Sequence, residues 1–211
     1  STPGRTLFPY TTLFRSMQDA YRIAQEAAPG IKMSLAGNYH KELVDKIYDY
    51  CIAWKQQFTP DDLALRNSKG WISTSYTACP DAMPNVGSNN EPIEATYLPL
   101  YCIANGFNGF LRWAWMNWTN NPMYDSRFKL FTPGDTYIVY PGNHSSRRFE
   151  HIIRGVQNVT KIETLRKEYK QKRNQKALQL LEDALSQFKN PTPNEAELRE
   201  NIYKIELLLN K

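Results

Sequence analysis

Cysteine is scarce in this 211-residue chain: Cys51, Cys79 and Cys102 are odd in number and widely spaced. Such spacing fits neither a zinc site nor a dense disulfide framework, so buried free thiols are expected. Histidine is as thin, and His40, His144 and His151 stand at no ligand-like spacing from one another or from the cysteines. No metal is expected. No apolar run approaches the roughly 18 residues that span a bilayer. No glycine-rich phosphate loop is present either, so neither a membrane span nor a cofactor is anticipated. Residues 17–211 also lack any adjacent Asp-Glu pair.

A surplus of one charge is missing from most of the chain. The net charge of +5 arises within residues 146–211, where 14 Lys and Arg face 9 Asp and Glu. Even there acids and bases alternate (Lys161, Glu163, Arg166, Lys167, Glu168), the pattern of a solvated helix face. Basic patches interleaved with aromatics are absent, so no nucleic-acid partner is expected.

What is present is a hydrophobic content of 41% and an aromatic content of 13%, enough for one aromatic-rich globular core. Thr6 to Ser16 is the translation of a common short-read sequencing adapter, so residues 1–16 are taken as a non-native scar and left out of fold reasoning. On that reading the natural chain continues upstream of Met17, and any export signal lies there.

From Met17 the chain alternates. Ala20, Ile23, Ala24 and Ala27 have helical spacing, closed by Pro29-Gly30. Short strands are expected at Ile31–Ala36, within Ile47–Trp54 and at Trp71–Thr77, with a polar helix over Asp61–Asn67. The loop from Cys79 to Pro92 is rich in Pro, Asn, Gly and Ser, and Ile93–Asn105 follows as a helix despite Pro99. Phe110–Trp115 has the look of a fourth, buried strand. Alternation of this kind argues for βα units and a parallel sheet, with barrel and doubly wound forms inseparable by pattern. Residues 17–145 would form one unit, and 146–211 a helical tail of one capping helix and a hairpin. Ser145 or Ser146 caps the first tail helix, a second runs from about Asn174 to Phe188, and Thr192 with Glu195 starts the third.

Trp113, Trp115 and Trp118 cluster where the fourth strand must end, beside Asn117 and Asp125. Flat apolar faces next to amides and a carboxylate suit a sugar site, because the faces stack on pyranose C–H groups and the polar groups bind hydroxyls. The plain alternative places these tryptophans in the core. Asp125 has a similar alternative as a loop cap, and Asp135 as an Asx-type turn. Arg112, Arg148 and Glu150 could form an ion-pair set.

This stretch resembles the C-terminal catalytic-domain signature of glycoside hydrolase family 123. The matching residues are Leu111-Arg112-Trp113-Ala114, Trp118, Pro122, Asp125-Ser126-Arg127-Phe128, Gly134-Asp135-Thr136-Tyr137 and Val139-Tyr140-Pro141-Gly142, continuing through Ser146, Arg148-Phe149-Glu150 and Gly155. Trp115-Met116-Asn117 departs from the Tyr-Asn-Ser of the family pattern. The resemblance implies a β-N-acetylgalactosaminidase relative with secreted or periplasmic location. It also implies an α/β fold, the C-terminal part of a TIM-like (β/α)8 barrel. Its chemistry would be substrate-assisted hydrolysis by an Asp-Glu pair, expected upstream of Met17, leaving this chain without catalytic acids. Substrate contacts are then expected from Asn38, Tyr39, Tyr76, Trp113, Trp115, Asn117, Trp118 and Asp125, at or beyond the strand ends. A non-catalytic carbohydrate-binding module and a partner-binding basic tail are the competing classes.

Overall fold

The computed structural model describes residues 10–78, 81 and 83–210, with side-chain surroundings from residue 16. The first nine residues of the expected scar, and the expected free thiol of Cys79, lie outside them. Four parallel strands stand side by side in chain order: β1 (Ser34–Gly37), β2 (Asp49–Ala53), β3 (Ile72–Tyr76) and β4 (Gly109–Phe110). Six helices accompany them: α1 (Tyr10–Ala27), α2 (Pro60–Ser68), α3 (Pro92–Ala104), α4 (Arg147–Gln171), α5 (Gln175–Ser186) and α6 (Glu195–Leu209).

Local chemistry explains most helix starts. Thr59 accepts from the Asp62 N–H while the Asp62 carboxylate accepts from the Thr59 N–H, a capping box ahead of Pro60. Ser146, one of the two serines expected there, caps α4, and Asn174, near which the next helix was expected to begin, caps α5. For α6 the cap is Asn194 rather than Thr192. Asn194 accepts from the Glu197 N–H, while the Thr192 N–H donates to Asn190 and belongs to the preceding turn. The first helix begins at Tyr10, ahead of the expected Met17.

Pairing register shows what each face of the sheet does. Leu35, Tyr50 and Ser73 form one row and Gly37, Ile52, Ser75 and Phe110 another. Tyr50 and Ile52 enter the main core cluster, and every helix adds to the same cluster. Tyr21 and Leu63 pack against it from α1 and α2. Tyr97 and Leu98 of α3, Ile152 and Ile162 of α4, Leu181 of α5 and Ile202 of α6 lie within it. The intervening rows, Ser34-Asp49-Ile72, Ala36-Cys51-Thr74-Gly109 and Ala53-Tyr76, point the other way because strand side chains alternate. All described helices therefore lie on one face, whereas a doubly wound sheet carries helices on both. The segments 17–145 and 146–211 share one core. Its closest seam joins α3 to α4 at Gly155, where a Cβ would stand 2.7 Å from the Thr96 carbonyl.

Helix α2 is polar in sequence, but Asp62 and Arg66, one turn apart, are both buried. Arg66 donates to the carbonyls of Val44, Ile47, Tyr48 and Ile72 and to the Ser73 hydroxyl, tying the turn before β2 to the start of β3. Burial pushes the Asp62 carboxyl up, yet hydrogen bonds from Lys41, Tyr39 and Thr59 together outweigh it and hold the group at about 2. A carboxyl depressed on folding stabilises the protein above its ordinary value, near 4, and that contribution disappears as pH falls through the folded value. Because Lys41 is largely exposed, the contribution is on the order of 1–2 kcal/mol after screening. Thermal unfolding followed by circular dichroism should show a falling midpoint between pH 4 and pH 2. Asp62→Asn should be less stable at neutral pH and flatter across that window; equal slopes for both proteins would contradict the assignment.

Candidate functional site

The expected sugar-binding residues divide into those turned toward the helices and those beside the helix-free sheet face. Tyr39 belongs to the first group: its hydroxyl donates to Asp62 at 2.7 Å, and its ring meets Phe58 edge-on at 5.7 Å. Asn38 is exposed, its side-chain oxygen accepting from Gln56 and its carbonyl from the Tyr50 hydroxyl. Trp54, at the end of β2, is buried; its indole N–H donates to the Pro191 carbonyl and its ring packs on Tyr101. Tyr76 shares the outward row with Ala53. Its phenol is partly buried, and burial, with Cys51 and Asp81 adding, pushes it up.

The strand expected over Phe110–Trp115 is a correction. β4 ends at Phe110, although the Leu111 N–H still donates to the Ser75 carbonyl. The chain leaves the sheet because Arg112 turns inward to Asp135 and is buried with it. From there the backbone is mostly irregular to Tyr140 and is stitched to itself. Asn117 N–H donates to Thr136, Ile138 and Val139 N–H groups to Trp115, and the Tyr137 hydroxyl to Pro122.

The three tryptophans are not core. Trp113, Trp115 and Trp118 are 46%, 37% and 39% exposed, and each has its own neighbourhood. Trp113 packs on Phe131 at 5.1 Å, and its indole N–H donates to the Asp135 carboxylate at 3.0 Å. Phe131 in turn stacks on Phe128, so an aromatic row runs outward from the strand end. Trp115 meets Phe149 edge-on and lines an apolar groove of about 250 Å³ with Pro99, Phe107, Phe110, Ile152 and Val156. Trp118 donates its indole N–H to the Val139 carbonyl. Asn117 is exposed beside it.

Asp125 lines a cleft of about 410 Å³ with Thr119, Asn120, Asn121, Arg127 and Phe128. Its carboxylate accepts from both the backbone and the guanidinium of Arg127, and these bonds hold it down at about 2. The loop-cap reading of Asp125 thus describes its geometry. Asp135 does sit in a turn, its N–H donating to Thr132, but its side chain faces Arg112 and Trp113 rather than making an Asx turn.

Nor do Arg112, Arg148 and Glu150 form one ion-pair set. Buried Arg148 donates to the carbonyls of Val86, Gly134 and Tyr137, clamping two loops onto α4, while Glu150 accepts from Ser145.

Sequence reasoning also missed a buried polar chain below the site. The Thr77 hydroxyl donates to Asn85, whose side-chain amide reaches the Ala78 and Asp81 carbonyls. The Asn85 N–H in turn donates to the Glu94 carboxylate on α3. This chain orders the loop after β3. Burial pushes the Glu94 carboxyl up despite bonds from Asn85, Glu91 and Asn90. Only the Pro-Asn-Gly-Ser composition of the loop hinted at it.

Among the described residues no group of three His, Cys, Asp or Glu could hold a metal ion, and no helix is long and apolar enough to cross a membrane. The Cys51 and Cys102 thiols are free and buried, and burial pushes both up.

No curated protein sequence matches the chain. The structure of a family 123 glycoside hydrolase from Clostridium perfringens, solved to detail glycolipid glycan hydrolysis, is similar, with a TM-score of 0.76 and 20% sequence identity. The match covers 93% of this chain and 38% of that one, and at this identity it shows a shared fold. The sequence profile of the glycoside hydrolase 123 catalytic domain matches residues 9–165, which include the turn that carries Asp135 and the exposed tryptophans. The chain belongs to glycoside hydrolase family 123, whose catalytic-domain profile covers about three quarters of it.

Proposed function

We propose that this chain forms one wall of the carbohydrate cleft of a family 123 enzyme acting on β-linked N-acetylhexosamine, of the N-acetylgalactosamine type. The observation that carries this reading is Trp113, half exposed, held at its N–H edge and lying just beyond the C-terminal end of β4. Tyr76 ends the neighbouring strand on the helix-free face. An exposed aromatic fixed in one orientation is a stacking surface, and short polar groups around it can bind hydroxyls. The glycolipid glycan treated by the Clostridium perfringens enzyme is a substrate of compatible class. One-sided helix packing and strands in chain order support part of a (β/α)8 barrel, in which ligands sit at the strand C-termini.

Hydrolysis with assistance from the substrate acetamide needs a carboxylate to orient that amide and an acid to protonate the leaving oxygen. The three carboxyls singled out above suit neither task. Asp125 is held at about 2 and cannot be a proton donor near neutrality. Asp135 is paired with Arg112, and Glu94, although pushed up, is buried in the loop-ordering chain. With no Asp-Glu pair in residues 17–211, we infer that the chain alone binds sugar without cleaving it. Purified chain incubated with an aryl β-N-acetylgalactosaminide should release no aryl alcohol above the buffer rate. Protein-dependent release that scales with concentration would overturn this.

A further inference from the structure

The geometry points to a positioning residue for the sugar platform: we propose that Asp135, locked by Arg112, sets the orientation of Trp113 and thereby the affinity of the site for sugar. The inference rests on the carbohydrate reading above and extends it to two residues that touch no ligand.

An indole with nearly half its surface in water has two side-chain torsions and little to restrain them. Trp113 is restrained at two places. Phe131 covers one side at 5.1 Å with the rings tilted by 33°, and Asp135 Oδ2 accepts the indole N–H at 3.0 Å. With 46% of Trp113 still exposed, the restrained ring keeps surface that a pyranose could stack on. The acceptor is itself immobile. Asp135 is buried, and its Oδ1 accepts from Arg112 Nη2 at 2.7 Å, while the same nitrogen donates to the Asp135 carbonyl.

The turn that presents Asp135 is equally constrained. Gly134 has φ of +75°, a region open to glycine. A Cβ there would lie 2.1 Å from Ser88 Oγ and 2.9 Å from Arg148 Nη1. Arg148 donates to the Gly134 carbonyl at 2.7 Å, and the Ser88 N–H donates to Pro133 at 2.7 Å. Orientation thus passes from α4 through the turn to the carboxylate, and from the carboxylate to the ring.

A buried ion pair is a poor choice for stability alone, since desolvation offsets most of the Coulomb attraction. Arg112 is a particularly inefficient stabiliser: among the described residues its Nε and Nη1 are buried without a hydrogen-bond partner. What the pair does deliver is an acceptor oxygen fixed in space at the edge of an exposed ring.

The test is a double-mutant cycle on the full chain, with affinity for methyl β-N-acetylgalactosaminide as the readout and circular dichroism as the control for folding. Asp135→Ala should weaken binding about tenfold, an effect of the size a misplaced anchoring ring produces. Trp113→Phe keeps a ring but removes the N–H and should weaken binding to a similar degree. Adding Asp135→Ala to Trp113→Phe should then cost little more, because the carboxylate acts through the N–H already lost. Asp135→Asn, which retains an acceptor oxygen, should recover part of the affinity. Equal losses from Asp135→Ala in both backgrounds would make Asp135 a structural residue only and overturn the proposal. Unchanged affinity in Asp135→Ala would overturn it as well. Wild-type chain that binds no sugar would sink the carbohydrate reading and this inference with it.

Discussion

Arg66→Met should lower the thermal midpoint by about 10 °C or more, the largest stability loss expected from a single polar side chain here. Methionine has a similar length and fits an apolar interior, so packing volume is roughly kept. What is lost is the guanidinium that serves the carbonyls of Val44, Ile47, Tyr48 and Ile72 and the Ser73 hydroxyl. Each buried acceptor left without a donor costs about 1–3 kcal/mol before relaxation. Water reaching some of them leaves a net loss of about 3–5 kcal/mol. Arg66→Lys should fall between, because an ammonium cannot span acceptors on so many sides. Arg127→Met supplies the contrast: its pair with Asp125 is exposed, so its loss should leave the midpoint nearly unchanged. A midpoint for Arg66→Met within 2–3 °C of wild type, on the scale of about 2–4 °C per kcal/mol, would show that the guanidinium is not the staple described.

Trp113→Ala should weaken binding of an N-acetylgalactosaminide at least about tenfold, with little change in stability. The ring is the only one of the three tryptophans whose N–H edge is fixed by a buried carboxylate while nearly half its surface stays open, among the described residues. Trp115→Ala should do the opposite. Its ring packs on Phe149 beside the apolar groove between α3 and α4, so removal should lower the midpoint and leave sugar affinity intact. Comparing the two variants by titration calorimetry and thermal unfolding separates a ligand surface from a packing surface. Loss of affinity in Trp115→Ala alone would move the site to the groove.

The parallel sheet was legible because Ile47–Trp54 and Trp71–Thr77 are short β-branched and aromatic runs between turn signals, and both contain observed strands. Helix ends were legible where a single capping side chain decides them, as at Ser146 and Asn174. The stretch that follows β4 misled because an apolar run is the same whether buried or displayed. Phe110–Trp115 looks like a core strand, yet Arg112 draws the backbone out of the sheet and leaves two tryptophans in solvent. Polarity misled in α2 for the converse reason: Asp62 and Arg66 resemble a solvated face until their partners, distant in sequence, are known. The arginine clamps leave no periodic trace, since Arg148 meets carbonyls at Val86 and Gly134 that any sequence would provide. Of the expected site residues, Tyr39 proved tied to α2, a contact that spacing along the chain cannot reveal.

The most direct measurement is a nuclear magnetic resonance titration of the 15N-labelled chain with methyl β-N-acetylgalactosaminide, following the indole N–H signals of its five tryptophans. The account predicts a saturable shift of one signal, assigned to Trp113 by its disappearance in Trp113→Ala. The signals of Trp54, buried against Tyr101, and Trp71, stacked beneath Lys69, should stay in place. No saturable shift of the Trp113 signal at millimolar sugar, or a shift confined to the other four, would contradict it.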